Sequence, residues 1–314
     1  MISITQLQYI LAVHKLKHFG RAASECHVSQ PSLSAQIQKA EHQLGFIIFD
    51  RSKKPIIVTE LGKKFINQAR VVLQEHQRLS EIKNSLDKPS GEFHLGVIPT
   101  LSPYLVPLFI ESFSKKFPDI QLKISELQTQ NIIHKLYDDE LDGGLLVTPL
   151  KDDKIIERAL FLEPFYAFAS KGHPLLKKKI LKESDLESDD IWLLDEGHCF
   201  RDQVIRFCSL GKTHQVLKNV GFSSGSFETL INLIRKSEGY TLLPHLATTN
   251  LFPTELKNNL RKFSRPIPTR EVSLVHSRSF LKEEIIEVLI QEILDHLPPE
   301  LINIKAGQAQ IIDI

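Results

Sequence analysis

The sequence predicts a helical amino-terminal domain, one long helix and an α/β body, for three reasons. Between positions 5 and 44, apolar residues recur every three or four positions, as in amphipathic helices. Apolar or neutral residues with the same spacing also run through the whole of 59–86. After the turn-rich "DKPSG" at 87–91, short apolar runs alternate with helical stretches. The predicted parts of the chain are 1–58, 59–88, 89–300 and a tail at 301–314.

Composition narrows the class of protein. Hydrophobic residues make up 42% and charged residues 25% of the 314 residues, as in soluble globular proteins. The sequence has no long apolar run typical of a membrane span, and its first residues lack the pattern of a signal peptide. We therefore expect a cytoplasmic protein without a membrane partner, where structural disulfides are rare. The three cysteines show neither CxxC nor Cys/His zinc spacing, so we expect no metal and no cofactor.

Two short helices open the chain, one at 5–16 and one within "FGRAASECHV". Although the net charge is only +1, residues 1–58 contain seven lysines and arginines against three acidic residues. A basic segment on a slightly acidic body favours a polyanionic partner. The expected buried faces are Leu7, Ile10, Leu11 and His14 in the first helix and Ala22, Ala23 and Cys26 in the second.

The third helix lies in "SQPSLSAQIQKAEHQLG", and both of its ends are recognisable. Ser29 is a good N-cap, Pro31 suits the first turn, and Gly45 suits the carboxyl end. One face is apolar, whereas the opposite face carries uncharged hydrogen-bonding side chains that suit base edges in the major groove. The apolar positions are Leu33, Ile37, Ala40 and Leu44; the polar ones are Gln30, Ser32, Ser34, Gln36 and Gln38.

These three helices predict a helix-turn-helix, and "FIIFDRSKKPIIVTELG" predicts two short strands around a basic turn. Such a hairpin is a wing whose cations are expected to reach phosphates or the minor groove. The alternative is a plain three-helix bundle with a hairpin. The residues predicted to contact double-stranded DNA are Ser29, Gln30, Pro31, Ser32, Ser34, Gln36, Arg51, Lys53 and Lys54.

One long helix is predicted over 59–86, with a heptad-like seam. A lone helix with such a seam needs a partner. Pairing with a second copy of the chain would place two helix-turn-helix units side by side, while packing on the body of the same chain is the alternative. The seam positions are Leu61, Phe65, Ala69, Val72, His76, Leu79, Ile82 and Leu86.

The body alternates strands and helices, which predicts an α/β fold with parallel sheets, divided into two subdomains with a cleft. Function in such sheets gathers at the carboxyl ends of the strands. Thr100 and Thr129 follow two such ends and supply hydroxyls, a role compatible with capping the next helix. The predicted strands are "EFHLGV", "IQLKISEL", "GGLLV", "FYAFAS", "IWLLD", "VGFSS", "YTLLP" and "VSLVH". The predicted helices are "LVPLFIESFSKKF", "NIIHKLYDDEL", "SFETLINLIRKSE" and "LKEEIIEVLIQEIL".

Two of the three cysteines lie in "DEGHCFRDQVIRFC", which predicts a helix after the strand "IWLLD". Cys199 sits near the helix amino terminus, where free N–H groups favour a thiolate, and His198 and Arg201 add positive character. Nearby Asp195, Glu196 and Asp202 oppose this effect, so the balance stays open.

The helical spacing separates these two thiols. Nine residues of α-helix rise roughly 13.5 Å, whereas a disulfide needs Cα atoms within about 7 Å. Cys199 and Cys208 can therefore bond only if the helix unwinds. The alternative is that Cys208 is an inert buried thiol with Cys199 near it by chance.

The stretch "FGRAASECHVSQPSLSAQIQKAEHQLGFIIFDR" resembles the winged helix-turn-helix of LysR-type transcriptional regulators, although Ala40 stands where leucine is usual. That resemblance implies an effector domain like a periplasmic binding protein, with two halves and a ligand cleft. "LDEGHCFRDQVIRFC", "GVIPTLSPYLVP", "LQTQ" and "SEGYTLLP" are similar to the peroxide-sensing OxyR subgroup of this family, but the spacing within 209–226 differs.

The resemblance implies that hydrogen peroxide oxidises Cys199 to a sulfenic acid and that Cys208 resolves it to a disulfide. It also implies a transcriptional activator and repressor rather than an enzyme. Its implied partners are promoter DNA, hydrogen peroxide, further copies in a dimer or tetramer, a cellular thiol reductant and, as a candidate, RNA polymerase. The positions that match the surroundings of the peroxide pocket are Thr100, Thr129, His198, Arg201, Asp202 and Gln203.

Three rival functions remain open at this point. A thiol peroxidase carrying a DNA-binding domain would turn over catalytically. A LysR-type regulator that binds a small metabolite in its cleft would still respond without Cys199. A constitutive DNA-binding protein would show the same footprint in both redox states.

Overall fold

The computed structural model describes residues 2–52, 55–81, 89–186, 190–208, 224–277, 282–302, 304 and 306–313. The chain divides into two compact units, Met1–Lys88 and Pro89–Ile314. The division falls at the turn-rich "DKPSG". In the described part of the chain, no helix is long and apolar enough to cross a membrane.

The amino-terminal unit contains three short helices, a hairpin and a long helix, as predicted. Ser3 caps the first helix through a reciprocal pair of hydrogen bonds with Gln6. Ser29 caps the third by accepting from the Ser32 N–H, and Gly45 ends it in the left-handed conformation, with φ 75°. The elements are α1 (Ile4–Leu16), α2 (Phe19–Glu25), α3 (Gln30–Leu44), β1 (Phe49–Asp50), β2 (Ile57–Val58) and α4 (Glu60–Glu81).

The core of this unit follows most of the predicted pattern. Leu33, Ile37 and Ala40 of α3 are buried, as are Ala22 and Ala23 of α2, whereas Leu44 and Cys26, predicted on the same faces, are half-buried. Helix α1 buries Val13 together with Leu7 and Ile10, while Leu11 and His14, predicted on that face, are only half-buried. The buried face of α1 is therefore rotated slightly from the predicted one.

The predicted seam of helix α4 is partly buried and partly exposed to solvent. Gly62 brings it close to the hairpin, since a Cβ there would lie 2.5 Å from the Ile48 carbonyl oxygen. Ala69 is buried in the unit, whereas Leu61 and Val72 are 54% and 41% exposed. The seam is therefore partly covered by its own unit and partly free in the single chain. Of the predicted seam residues, Ile82 and Leu86 lie outside the described residues, and the description of Leu79 extends to its backbone alone.

The carboxyl-terminal unit, Pro89–Ile314, is built on a mixed sheet. Strand β3 runs parallel to β4 and β5, but the long strand β10 runs antiparallel to β5 and β6. The expectation of parallel sheets is therefore only partly correct: β7 and β9 and also β10 and β11 are parallel, but β10 runs antiparallel to β5 and β6, and β6 runs antiparallel to β8 and β9. The strands are β3 (Gly91–Val97), β4 (Ile120–Glu126), β5 (Gly143–Thr148), β6 (Ile156–Ala169), β7 (Ile180–Leu181), β8 (Tyr240–Pro244), β9 (Leu260–Phe263), β10 (Ile267–His276) and β11 (Ala309–Ile311).

Strand β6 joins the two halves of this unit. Its first part pairs with β10, and residues 165–169 pair with β8 and β9 instead. The α/β class and its division into two sets of strands are thus as expected. The helices are α5 (Ser102–Lys116), α6 (Thr129–Tyr137), α7 (Cys199–Phe207), α8 (Phe227–Lys236), α9 (His245–Thr248), α10 (Pro253–Asn258), α11 (Glu283–Asp295) and α12 (Pro299–Ile302).

The run "IWLLD" is not a strand, contrary to expectation. Ile191 makes a single bridge to Tyr240, and the chain then leaves the sheet, although Ile191 and Trp192 are buried. An apolar run is buried here without forming a ladder, which hydrophobicity cannot reveal. Only the last residue of "VGFSS" lies among the described residues.

Helix α6 lies so close to β5 that only glycine fits at position 144. A Cβ at Gly144 would lie 2.6 Å from Cγ2 of Ile132, whose β-branched side chain has little freedom to move. This contact sets the height of α6 above the sheet. It therefore sets the position of Thr129, the first residue of α6.

We expect Gly144→Ala to lower the free energy of unfolding by about 1–3 kcal/mol, because the added methyl overpacks the contact with Ile132. Equilibrium urea unfolding measures this loss. Combining it with Ile132→Ala should cost less than the sum of the two single changes. Gly307→Ala is the control, since a Cβ at that position meets nothing within 4 Å. Strict additivity of the two core changes would contradict the proposed contact.

Candidate functional site

The amino termini of α6 and α7 meet at a glycine. Gly197 has φ 89°, and a Cβ there would lie 2.9 Å from Nε2 of Gln128. Gln128 is the N-cap of α6, and His198 is the N-cap of α7. The turn before α7 can therefore lie directly against the start of α6, which places Thr129 beside Cys199.

Cys199 is the first residue of α7, is a free thiol and is 6% exposed. Burial raises its pKa, and the carboxylate of Asp202 adds to that effect. Three features oppose it: the charge of Arg270, a hydrogen bond from the Thr129 side chain and one from the Phe200 backbone N–H. Burial prevails, so the resting sulfur is a protonated thiol surrounded by groups that would stabilise a thiolate.

Arg270 is the main residue of this site that the sequence did not predict. Its side chain is fully buried in β10, where Nε donates to Glu163 Oε2 at 2.7 Å. Nη1 donates to the Thr100 hydroxyl at 3.0 Å and Nη2 to the Thr100 carbonyl at 3.2 Å. A guanidinium must stay charged, so its burial requires this fixed set of acceptors. The one signal in the sequence is an arginine inside the apolar strand "IPTREVSLVH".

Glu163 neutralises Arg270 and is itself fully buried. Its second oxygen, Oε1, accepts from the Leu246 N–H at 2.7 Å. The guanidinium also lies 5.4 Å from the ring centre of Phe200 in α7. One buried ion pair thus connects the strands β6 and β10 with Thr100 and with the helix that carries Cys199.

His198 and Arg201 do not supply the positive character expected of them. Burial lowers the pKa of His198, with Asp195 and Glu126 opposing, so the imidazole is neutral near pH 7. Arg201 is engaged elsewhere, since its Nη1 donates to the Leu194 carbonyl at 2.7 Å. The positive charge that acts on Cys199 is that of Arg270.

Gln203 lies one turn after Cys199 on the same face of α7 and is completely buried. Its Nε2 donates to the Ile312 carbonyl at 2.5 Å. Within the described part of the chain, its Oε1 has no hydrogen-bond partner. A buried acceptor without a donor costs free energy, which marks this atom as available to a small ligand.

Cys208 is the residue that ends α7, and its N–H still donates to the Val204 carbonyl. The whole helix therefore separates the two free thiols, and nine residues of rise correspond to roughly 13.5 Å. Burial and the carboxylate of Glu183 raise the pKa of Cys208 to about 12. While α7 is intact, Cys208 is therefore held as a protonated thiol, which is a weaker nucleophile than the thiolate.

Ser224 and Gly225 lie against the start of α7. The Asp195 N–H donates to the Ser224 carbonyl at 2.9 Å. A Cβ at Gly225 would lie 2.8 Å from His198 Nε2, so the imidazole rests on that glycine. Most of 209–226, where the spacing was unexpected, lies outside the described residues.

Two family models match the chain. The bacterial regulatory helix-turn-helix of the lysR family matches residues 4–63, and the LysR substrate binding domain matches residues 86–298. The DNA-binding transcriptional dual regulator OxyR of Escherichia coli is 34% identical over 279 residues, which cover 88% of this chain and 89% of that protein. The chain belongs to the OxyR group of the LysR family.

Solved OxyR structures agree with this assignment. A full-length OxyR variant from Pseudomonas aeruginosa matches with a TM-score of 0.76 and 33% identity, covering 94% of this chain and 98% of that one. A hydrogen peroxide-bound OxyR variant from Corynebacterium glutamicum matches with a TM-score of 0.60 and 28% identity, covering 94% and 92%. This OxyR-family chain is therefore a DNA-binding transcriptional regulator.

The predicted DNA face of this OxyR-family chain is largely exposed. Ser29, Gln30, Pro31, Ser32 and Gln36 are exposed, and Ser34 is half-buried. Lys53 and Lys54 lie outside the described residues.

Arg51, expected to reach DNA, is engaged within its own unit. It donates to the Ser34 hydroxyl at 3.0 Å and to Glu41 at 3.1 Å, and it stacks over the ring of Phe19. It therefore fastens the hairpin to α3. Among the described residues, no group of three or more His, Cys, Asp or Glu could hold a metal ion.

The hydrogen bond between Thr129 and Cys199 predicts a shift in thiol reactivity. Thr129→Val keeps the shape of the side chain but removes the hydroxyl, whose hydrogen bond lowers the pKa of Cys199, so we expect that pKa to rise further. The pH profile of Cys199 alkylation, followed by mass spectrometry of its peptide, measures this rise. Thr254→Val, at an exposed threonine of α10, is the matched control. An unshifted profile in Thr129→Val would contradict the contact.

The buried ion pair predicts strong coupling between its members. Glu163→Gln leaves Arg270 without a counter-charge, and we expect it to lower the free energy of unfolding by about 3–5 kcal/mol. Arg270→Met combined with Glu163→Gln should cost less than the sum of the two single changes, since no unpaired charge remains. Urea unfolding measures all three variants. Glu111→Gln, which removes the exposed partner of Lys115, is the control and should leave the unfolding midpoint unchanged.

Proposed function

We propose that this regulator senses hydrogen peroxide by oxidation of Cys199 and formation of a disulfide with Cys208, which changes its arrangement on DNA. The observation that carries the proposal is the position of Cys199. Its thiol is buried under the influence of the Arg270 charge and the Thr129 hydroxyl, Gln203 follows one turn later on the same face, and a second thiol ends the same helix. A structural cysteine would need none of these polar neighbours.

The first step is a two-electron oxidation of sulfur. Cys199 Sγ attacks one oxygen of hydrogen peroxide and the O–O bond breaks. The second oxygen takes the thiol proton together with its own and leaves as water. Cys199 becomes a sulfenic acid. Because burial raises the pKa of the Cys199 thiol, its proton has to be removed on the way to the sulfenic acid.

Neighbouring side chains are suited to orient peroxide for this step. Thr129 already donates to the sulfur, and Thr100 accepts from Arg270 while keeping its own proton to donate. The vacant Oε1 of Gln203 can accept from a peroxide O–H. The charge of Arg270 stabilises negative charge that develops on sulfur and on the leaving oxygen. His198, Arg201 and Asp202 complete the proposed surroundings at the start of α7.

The second step joins the two cysteines. Cys208 Sγ attacks the sulfenic sulfur, the S–O bond breaks, and the departing hydroxyl takes the Cys208 proton and leaves as water. A disulfide requires Cα atoms within about 7 Å, so α7 must unwind. Unwinding also removes Cys208 from the surroundings that raise its pKa to about 12. The buried side chains of Phe200, Val204 and Phe207 must then find new positions.

We propose that the change at α7 alters DNA binding by changing the contacts between copies of the chain. The segment at 224–226 contacts Asp195 and His198, so unwinding α7 rearranges both sides of the oxidised segment. The exposed Leu61 and Val72 on α4 support pairing with a second copy, and a dimer of such dimers is the proposed assembly. New packing between copies would change the spacing of the α3 helices on promoter DNA and the access of RNA polymerase. A cellular thiol reductant reverses the disulfide by exchange.

Treatment with one equivalent of hydrogen peroxide tests the chemistry. In the wild-type chain and in the Cys26→Ser control, we expect a Cys199–Cys208 peptide lacking two hydrogen atoms by mass spectrometry and an altered DNA footprint. Cys208→Ser should accumulate a sulfenic acid at Cys199 that dimedone traps. Cys199→Ser should show neither product nor footprint change.

Other outcomes would count against the proposal. If the Cys199→Ser protein still answers a small-molecule effector, the rival interpretation as a metabolite-binding regulator would be favoured. An overoxidised Cys199 without the disulfide would exclude Cys208 as the resolving thiol.

A further inference from the structure

The last described residues of the chain pair with strand β10 and contact helix α7. Strand β11 runs parallel to β10, with Ile267 opposite Ala309 and Thr269 opposite Ile311. The Ile312 N–H donates to the Thr269 carbonyl at 2.9 Å, and the Ile312 side chain is 6% exposed. We call residues 306–313 the terminal strap.

One side chain links this strap to the centre of α7. Gln203 is the fifth of the nine residues of α7, midway between the two thiols, and its Nε2 donates to the Ile312 carbonyl at 2.5 Å. Both Gln203 and Ile312 are buried, so water cannot easily replace this bond. The strap is therefore in contact with the part of the helix that must open if Cys199 and Cys208 are joined.

We propose that the terminal strap is docked by Gln203 while α7 is helical and is released when the disulfide forms. This inference rests on the function proposed above and assigns a regulatory role to the carboxyl terminus. A disulfide between the ends of α7 cannot coexist with the helix, so Gln203 leaves its position under Ile312. The strap then keeps its three-residue edge strand, the hydrogen bonds that Thr269 makes with Ile312 and Gln310, the buried Ile312 side chain and an exposed contact between Lys151 and Asp313. So short a strand without its anchor is marginal.

Coupling between two sites is reciprocal. If opening α7 releases the strap, then the strap must in turn favour the closed helix. The docked strap would therefore set how readily the pair of thiols oxidises. The strap bonds to Thr269 of β10, and the next residue of that strand, Arg270, carries the charge that acts on Cys199. The strap therefore contacts both the strand and the helix that surround the reactive thiol.

Hydrogen exchange on the full chain tests the release. We expect the amides of 309–312 to exchange at least tenfold faster after oxidation by peroxide than in the reduced protein. Gln203→Leu should show the same acceleration while still reduced, because the anchor is missing. Cys208→Ser is the matched control, since its Cys199 is oxidised without a disulfide, and its strap should stay protected.

The disulfide is measured by mass spectrometry in the same samples, which separates the two proposals. A disulfide with a fully protected strap would overturn the strap alone and leave the sensing chemistry intact. No disulfide in any sample would overturn the sensing chemistry. Unchanged protection in reduced Gln203→Leu would also overturn the proposed anchor.

Deleting residues 309–314 gives a second measurement that does not depend on the Gln203 variant. Without its strap, the Cys199–Cys208 disulfide should become about tenfold more favourable relative to the dithiol. For a two-electron couple that corresponds to a reduction potential about 30 mV more negative. An unchanged potential in the shortened chain would contradict the coupling.

Discussion

The length of α7 is the constraint on which the rest of the regulatory unit depends. Cys199 begins this helix and Cys208 ends it, so regular backbone holds the two thiols roughly 13.5 Å apart. The helix in turn is held by its buried face, where Phe200 meets the rings of Phe165 and Phe227. Any chemistry that joins the sulfurs must overcome that packing, so a covalent bond can act as a switch between two folded arrangements.

Electrostatics around Cys199 shows two opposing effects of burial. Burial raises the pKa of the thiol, but it also strengthens the influence of the Arg270 charge, which water does not screen. Arg270 can be buried only because Glu163 neutralises it and Thr100 accepts two of its hydrogen bonds. The result is a cation fixed in direction and distance. A mobile lysine on the surface could not act on the sulfur in this way.

Short-range sequence signals were enough to predict the ends of helices and their buried faces where those signals are strong. Ser29, Pro31 and Gly45 mark the ends of α3, and the period of Leu33, Ile37 and Ala40 identifies its buried face. Cys199 at the start of a helix and Cys208 at its end follow from spacing in the same way. These features depend on neighbours within a few residues along the chain, so pattern reading finds them.

Contacts between distant segments could not be predicted in this way. Arg270 and Glu163 lie 107 positions apart, and Gln203 and Ile312 lie 109 apart. Their pairing depends on the order of strands in the sheet, and β10 running antiparallel to β5 was not anticipated. The family resemblance implied that Gln203 lies near the peroxide pocket. It did not predict that the amide nitrogen of Gln203 donates to the Ile312 carbonyl.

The sequence by itself determined the helix-turn-helix, the α/β class and the helix that separates the two thiols, because each is specified by caps, periodicity and rise over short stretches. Tertiary structure decided which charge acts on Cys199, that His198 is neutral, and that the carboxyl terminus packs beside α7. Those properties depend on burial and on through-space distances. Such distances exist only after strands far apart in the chain have paired.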